Sequence, residues 1–163
     1  MRKVIVVGCP GAGKSTFARA LHEKSGLPIC HLDLLYWNSD RTIVPKSVFT
    51  QRLREVLNRD SWIIDGNYDS TMEMRMQYSD TVFFLDYPLD VCLEGVRLRK
   101  GKERLDMPWV EGSNEAEDEE FISFIRNYPA VSRPVVLDLL KKYSQKNIVI
   151  FHTRQEAAHY INT

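Results

Sequence analysis

Gly8-Cys9-Pro10-Gly11-Ala12-Gly13-Lys14-Ser15 is a complete G-x-x-x-x-G-K-[ST] stretch, and its reading decides how the rest of the chain is understood. It follows the apolar run Val4-Ile5-Val6-Val7 and precedes a segment of helical periodicity. That is the strand, loop and helix context in which such a stretch cradles phosphate. Glycines let the backbone curl so that successive N–H groups converge on phosphate oxygens at the positive end of the helix. Gly8, Cys9, Pro10, Gly11, Ala12, Gly13, Lys14, Ser15 and Thr16 are therefore the expected triphosphate-binding residues. Lys14 would bring a mobile charge to the β and γ phosphates, and Ser15 would offer its hydroxyl to Mg²⁺.

Working outward, strand-type apolar segments recur at Lys3–Val7, Leu27–His31, Trp62–Ile64, Thr81–Leu85 and Asn147–Phe151. They are short, continuous and rich in Val, Ile and Phe, as strands buried on both faces should be, and helical patterns separate them. This alternation predicts an α/β protein with a parallel sheet. The first helix should run from Lys14 to Lys24 and stop at Gly26, with Pro28 beyond it. A second should begin near Pro45 and carry Phe49, Leu53, Val56 and Leu57 on one stripe. Ser70 with Glu73 and Thr153 with Glu156 have capping-box spacing. A helix over Leu89–Lys100 packs Cys92 and Val96, and its stripe ends on Arg99, which should point from the core toward a cleft. The stretch Gly101–Glu120 reads as an excursion whose acidic run, Glu115–Glu120, leads into a helix near Phe121, Ile125 and Tyr128.

The chain has 163 residues, 44% of them hydrophobic, which fits one globular domain. A domain of this size buries roughly 68–70% of its unfolded surface, enough for a core without cross-links. Cys9, Cys30 and Cys92 lie far apart with no C-x-x-C pair, so no disulfide framework or zinc site is indicated and a reducing, cytoplasmic setting is expected. No apolar run is long enough for a membrane span. The 22 basic and 22 acidic residues cancel, which argues against a strongly basic nucleic-acid binder and so against direct DNA binding.

No N-K-x-D guanine reader occurs, and no glutamate follows the aspartates that close later strands, since Gly66 follows Asp65 and Tyr87 follows Asp86. Both facts point away from hydrolysis as the purpose. Transfer to a small acceptor needs an acceptor-holding carboxylate, an acid that organises Mg²⁺, and arginines that close over the reacting group. Asp33 and Asp65 follow strand segments, at the carboxyl edge where open α/β sheets place ligands. Arg99, Arg104, Arg126 and Arg133 lie on or around the expected lid. Tyr36 and Trp37 could stack on a flat acceptor, and Arg75 could reach an acceptor phosphate or stand exposed on its helix. His22, His31, His152 and His159 form no ligand spacing and read as structural or surface residues.

Leu32-Asp33-Leu34-Leu35-Tyr36-Trp37, Trp62-Ile63-Ile64-Asp65-Gly66-Asn67-Tyr68, Asp80-Thr81-Val82-Phe83-Phe84-Leu85-Asp86 and Arg104 with Asp106-Met107-Pro108 carry a wider likeness. With these segments the chain resembles the adenylate-kinase-like phosphate-loop kinases, and within them the bacterial topology-modulation, or FlaR-related, proteins. The resemblance implies a P-loop NTPase three-layer sandwich with a five-stranded parallel sheet in order 2-3-1-4-5. It also implies an acceptor-binding insertion, here residues 34–60, and a lid, here residues 100–120, within a single 1–163 domain. Asp65-Gly66 looks like the start of the adenylate kinase D-G-F-P-R segment, whose aspartate organises Mg²⁺. Related kinases often carry two arginines four residues apart at the start of the lid; Arg99 matches the second, and Gly95 stands where the first would be.

The expected function is an ATP- and Mg²⁺-dependent phosphotransferase acting on a small hydroxyl or phosphate acceptor, as a monomer or a homodimer. Lys14, Asp33, Arg99 and Arg104 are the expected catalytic residues, Ser15 and Asp65 the Mg²⁺ residues, and Asp33, Tyr36, Trp37 and Arg75 the acceptor-binding ones. The competing expectation is a nucleotide-binding regulatory protein linked to DNA topology, with ATPase or vestigial chemistry.

Overall fold

The computed structural model describes residues 1–38, 40, 42–99 and 115–163. Its elements run β1 (Lys3–Gly8), α1 (Lys14–Ser25), β2 (Ile29–His31), α2 (Leu32–Tyr36), α3 (Lys46–Leu57), β3 (Trp62–Asp65), α4 (Asp69–Tyr78), β4 (Thr81–Leu85), α5 (Leu89–Arg99), α6 (Glu115–Lys142), β5 (Asn147–Phe151) and α7 (Arg154–Asn162). All five strands are parallel, in the order β2-β3-β1-β4-β5. β1 is therefore central, and the loop that follows it opens at the middle of the carboxyl edge. β2 is shorter than Leu27–His31, because Gly26 ends α1 in a left-handed turn and Pro28 has no N–H to give a ladder.

Strand side chains alternate between two cores, as the pleat requires. Val4, Val6, Ile63, Phe83 and Leu85 face one layer, with Phe17, Ala18 and Leu21 of α1, Cys92 of α5 and Ala157 of α7. Ile5, Val7, Ile64, Val82 and Phe84 face the other, with Leu53 and Leu57 of α3 and Met72 and Met76 of α4. Residues 34–60 thus contribute to the sheet's second core: Leu53 and Leu57 are fully buried in it. α6 serves both layers, giving Ile125 and Tyr128 to the first and Val136 and Leu140 to the second. It contains Pro129 and Pro134 and still runs to Lys142.

The two capping boxes fare differently. Thr153 caps α7 as expected, its hydroxyl accepting from the Glu156 N–H at 3.1 Å, while the Glu156 carboxylate accepts from the His152 N–H at 2.7 Å. Ser70 does not cap α4; that helix starts at Asp69 after Tyr68, which sits at φ 39°. The turn before α4 is organised from within the helix by an arginine, described below. Among the described residues no helix is long and apolar enough to cross a membrane.

Candidate active site

α1 begins after Gly13, which has no side chain to cap it and adopts a left-handed φ of 94°, so the first-turn amides keep no capping side chain there. No acidic residue stands in that first turn to neutralise the positive helix end. Gly11, at φ 87°, lies flat on α5: a Cβ placed on it would stand 2.0 Å from the Cys92 carbonyl oxygen. A Cβ on Gly95 would stand 2.1 Å from the Gly11 carbonyl oxygen. Gly95 is thus the floor of the phosphate loop, and only a glycine fits it. Arg154, at the start of α7, clamps the loop from outside by donating to the Gly11 and Ala12 carbonyls, both at 2.9 Å.

The Lys14 ammonium rests on the Cys9 carbonyl at 3.3 Å. Burial pulls its pKa down from 10.5 to about 8, opposed by the carboxylates of Asp65 and Asp33 and assisted by the Arg99 guanidinium. Those influences show that Lys14, Asp33, Asp65 and Arg99 share one electrostatic neighbourhood. The Arg99 charge acts on Lys14, whereas Arg97 is turned to the surface and paired with Glu94 at 2.9 and 2.5 Å. Arg104 lies outside the described residues, as does most of the 100–120 stretch. Thr16 is exposed.

Asp65 is buried at the end of β3 and accepts a hydrogen bond from His31 Nδ1 at 2.5 Å. The parallel register sets His31 of β2 directly beside it. His31 is therefore a site residue that spacing along the chain does not reveal, since its partner is on a neighbouring strand. Ser15 and Asp65 present hard oxygen donors beside the triphosphate loop, a set that fits Mg²⁺, which takes few protein ligands and keeps waters and phosphate oxygens.

Asp33 lies in the first turn of α2 and accepts from the Tyr68 hydroxyl. Desolvation, with the Asp33 charge beside it, pushes the Tyr68 phenol well above its usual range, so it remains a donor. The rings of Tyr36 and Tyr68 lie 4.6 Å apart, and Phe49 and Trp37 pack on Tyr36 edge-on at 5.5 and 5.4 Å. Tyr36 and Trp37 are half-buried, so this aromatic wall remains reachable beside Asp33. Asn67 also approaches the site, its side-chain oxygen accepting from the Gly8 N–H at 3.4 Å.

Arg75 requires correction. It neither stands on the surface nor reaches toward an acceptor: it is 0% exposed. Its guanidinium donates to the carbonyls of Gly66 at 3.1 Å, Tyr68 at 3.3 Å and Asn67, and to the Thr71 hydroxyl at 3.2 Å. Burial lowers its pKa to about 10, opposed by Asp69 and Asp65, so it stays charged at neutral pH. Its role is to hold the 66–68 turn, and with it Tyr68 and Asn67, from below. Asp86, at the end of β4, is held in a two-pronged pair by Arg133 of α6 at 2.9 and 3.0 Å.

A central phosphate loop on a 2-3-1-4-5 parallel sheet, with carboxylates on the strand ends beside it, defines the class: the chain has the phosphate-loop kinase fold. Shikimate kinases are among the solved structures it resembles. That from Bacteroides thetaiotaomicron matches at 21% identity and TM-score 0.56 over 98% of this chain and 93% of that one. That from Acinetobacter baumannii, in complex with shikimate, matches at 17% and 0.66 over 99% and 89%. That from Aquifex aeolicus matches at 14% and 0.53 over 98% and 90%. No family model matches the chain, and no curated protein does.

Proposed function

We propose that the protein is an ATP- and Mg²⁺-dependent kinase that phosphorylates a hydroxyl group on a small acceptor. The observation that carries this reading is the position of Asp33, which shares the electrostatic field of Lys14 while the Tyr68 hydroxyl holds its carboxylate in place. A phosphoryl-transfer site needs a carboxylate to receive the acceptor hydroxyl next to a phosphate-holding cation. In this reading the loop amides and Lys14 bind the triphosphate. Ser15 and Asp65 would hold Mg²⁺, which would supply charge neutralisation to the triphosphate; His31 fixes the Asp65 carboxylate for that task. Arg99 compensates charge on the transferring group, and the Tyr36 and Trp37 wall orients the acceptor. The likeness to enzymes that act on shikimate, a small acceptor, supports the same reaction class.

The test incubates the protein with ATP, Mg²⁺ and a panel of polyhydroxylated acids, sugars, nucleosides and nucleoside monophosphates, and follows acceptor-dependent ADP. Lys14→Ala should lower transfer by more than about 100-fold while the protein stays folded. ADP release indifferent to every acceptor, with salt-sensitive retention on DNA, would instead support a regulatory nucleotide-binding protein.

A further inference from the structure

The turn after β3 joins the two halves of the proposed site, and one of its side chains has no task in the transfer as proposed. Val6 lies beside Asp65 in the β1–β3 register, so Gly8 and Asn67, each two residues further on, leave the sheet at the same carboxyl edge. There the Asn67 side-chain oxygen accepts from the Gly8 N–H at 3.4 Å. Gly8 opens the phosphate loop, and the carbonyl of the next residue, Cys9, receives the Lys14 ammonium at 3.3 Å. On the other side of Asn67, Tyr68 gives its hydroxyl to Asp33. A chain of bonded neighbours thus runs from the cation that would hold the phosphates to the carboxylate that would receive the acceptor, and Asn67 stands in the middle of it.

This turn is held in place. Gly66 has φ 132°, and Tyr68, at φ 39°, is the one described non-glycine residue with a positive φ. Such a backbone persists only where its surroundings enforce it, and it concentrates at functional sites. The enforcement here is the fully buried Arg75 guanidinium, which binds the carbonyls of Gly66, Asn67 and Tyr68 in succession. The main chain of Asn67 is fixed by that arginine, and its side-chain oxygen by Gly8. An amide is planar, so the place of Nδ2 follows from that of Oδ1, and this nitrogen carries two donor hydrogens. Among the described residues nothing accepts either of them, and Asn67 is half-buried, so the side chain keeps an open side.

We infer that Asn67 is a further catalytic residue, whose side-chain Nδ2–H donates to the phosphoryl group during transfer while its Oδ1 remains on Gly8. The inference rests on the kinase reading of the site. In the step, the acceptor oxygen forms a bond to the γ phosphorus, the bond from that phosphorus to the β–γ bridging oxygen breaks, and its electron pair leaves with ADP. The acceptor proton passes to the Asp33 carboxylate. Asn67 exchanges no proton. It supplies a neutral, fixed donor to an oxygen of the transferring group, whose charge is spread over three equatorial oxygens. A donor already in place needs no reorganisation at the moment of reaction. Aspartate at this position keeps an acceptor for the Gly8 N–H but has no hydrogen to give, so it separates bracing of the loop from donation.

The experiment measures the affinity of the full-length protein for Mg²⁺-ADP in the presence of the acceptor panel, with and without aluminium fluoride, a mimic of the transferring phosphoryl group. Aluminium fluoride should tighten ADP binding by the parent. Asn67→Ala should bind ADP without fluoride within about threefold of the parent and lose at least tenfold of the tightening, as expected when one transition-state donor is removed. Asn67→Asp should lose at least as much. If Asn67 only braces the loop, Asn67→Ala weakens binding equally with and without fluoride and Asn67→Asp behaves as the parent does; either result overturns the inference. Should Asn67→Ala fail to fold, Asn67→Asp decides alone, because it matches the parent in shape and keeps the acceptor for Gly8. A parent that binds ADP but is not tightened by aluminium fluoride refutes the proposed function, and the inference falls with it; a tightened parent with tightened variants refutes the role of Asn67 and leaves the proposed function standing.

Discussion

Replacing Gly95 by alanine sets two effects against each other, and the structure says which one wins. In a helix interior, alanine is favoured over glycine by about 1 kcal/mol. Taken alone, that makes Gly95→Ala stabilising. The added methyl, however, would lie 2.1 Å from the Gly11 carbonyl oxygen, 3.0 Å from the Gly11 carbonyl carbon and 2.9 Å from Arg154 Nη2. Arg154 can swing aside only by giving up its hydrogen bond to the same Gly11 oxygen. The loop and α5 must then separate by more than about 1 Å, an overpacking that costs about 1–3 kcal/mol. Loosening the arginine's hydrogen bond adds about 1 kcal/mol. The net expectation is a loss of about 2 kcal/mol, which for a chain of this size is a melting temperature lower by roughly 4–8 °C. Thermal denaturation by circular dichroism measures it, and an ATP-analogue titration should show weaker binding because the loop floor has moved. A variant that melts at or above the parent temperature, with unchanged affinity, would refute the contact argument and leave only helix propensity.

Three further expectations follow from the same site. Lys14 gives up its proton near pH 8 in the folded protein but near 10.5 when exposed. Between those values the unfolded chain binds more protons, so this residue's contribution to stability rises with pH; urea titrations at pH 7.5, 8.5 and 9.5 should show that slope in the parent and not in Lys14→Met. Tyr68→Phe keeps the ring packing on Tyr36 but deletes the hydrogen bond to Asp33. Its unfolding free energy from urea titration should fall by about 1 kcal/mol or less, with ATP-analogue affinity unchanged and acceptor kcat/KM down about tenfold. Arg75→Met strands the carbonyls of Gly66, Asn67 and Tyr68 and should cost about 3–5 kcal/mol in chemical denaturation, with Arg75→Lys restoring only part.

What could be read from the chain alone was whatever is written contiguously. The phosphate loop, the five strand segments, the α1 stop at Gly26 and the Thr153 cap each depend on neighbours within a few residues, and each appears where local pattern put it. The partners of Asp65 and Asp33 are non-local. His31 meets Asp65 only through the β2–β3 register, and Tyr68 meets Asp33 across 35 residues. Arg75 misled because arginine on a helix is usually solvated; here three turn carbonyls make burial worthwhile, and Ser70 falls inside α4 rather than at its cap. Gly95 looked like a missing arginine because close approach of two backbones leaves no periodic trace. α6 outlasts Pro129 and Pro134 because both cores hold it, a tertiary effect that no local breaker rule includes.

The central position of β1 divides the molecule's business in two. In the proposed function the residues that address the acceptor hang from β2, β3 and the helices after them, on one flank of the phosphate loop; Arg99, on α5, and Arg154, after β5, stand on the other. The flanks meet at β1 and the loop it carries, and again where Ser132 and Lys142 of α6 bond Asp69 and Glu73 of α4. In the proposed function this layout is modular: the socket made by Asp33, Tyr36, Trp37 and Tyr68 could be recarved for a different acceptor while β1 and the loop after it are kept. A chimera that exchanges residues 29–78 alone is the natural unit for transplanting acceptor choice onto this chain.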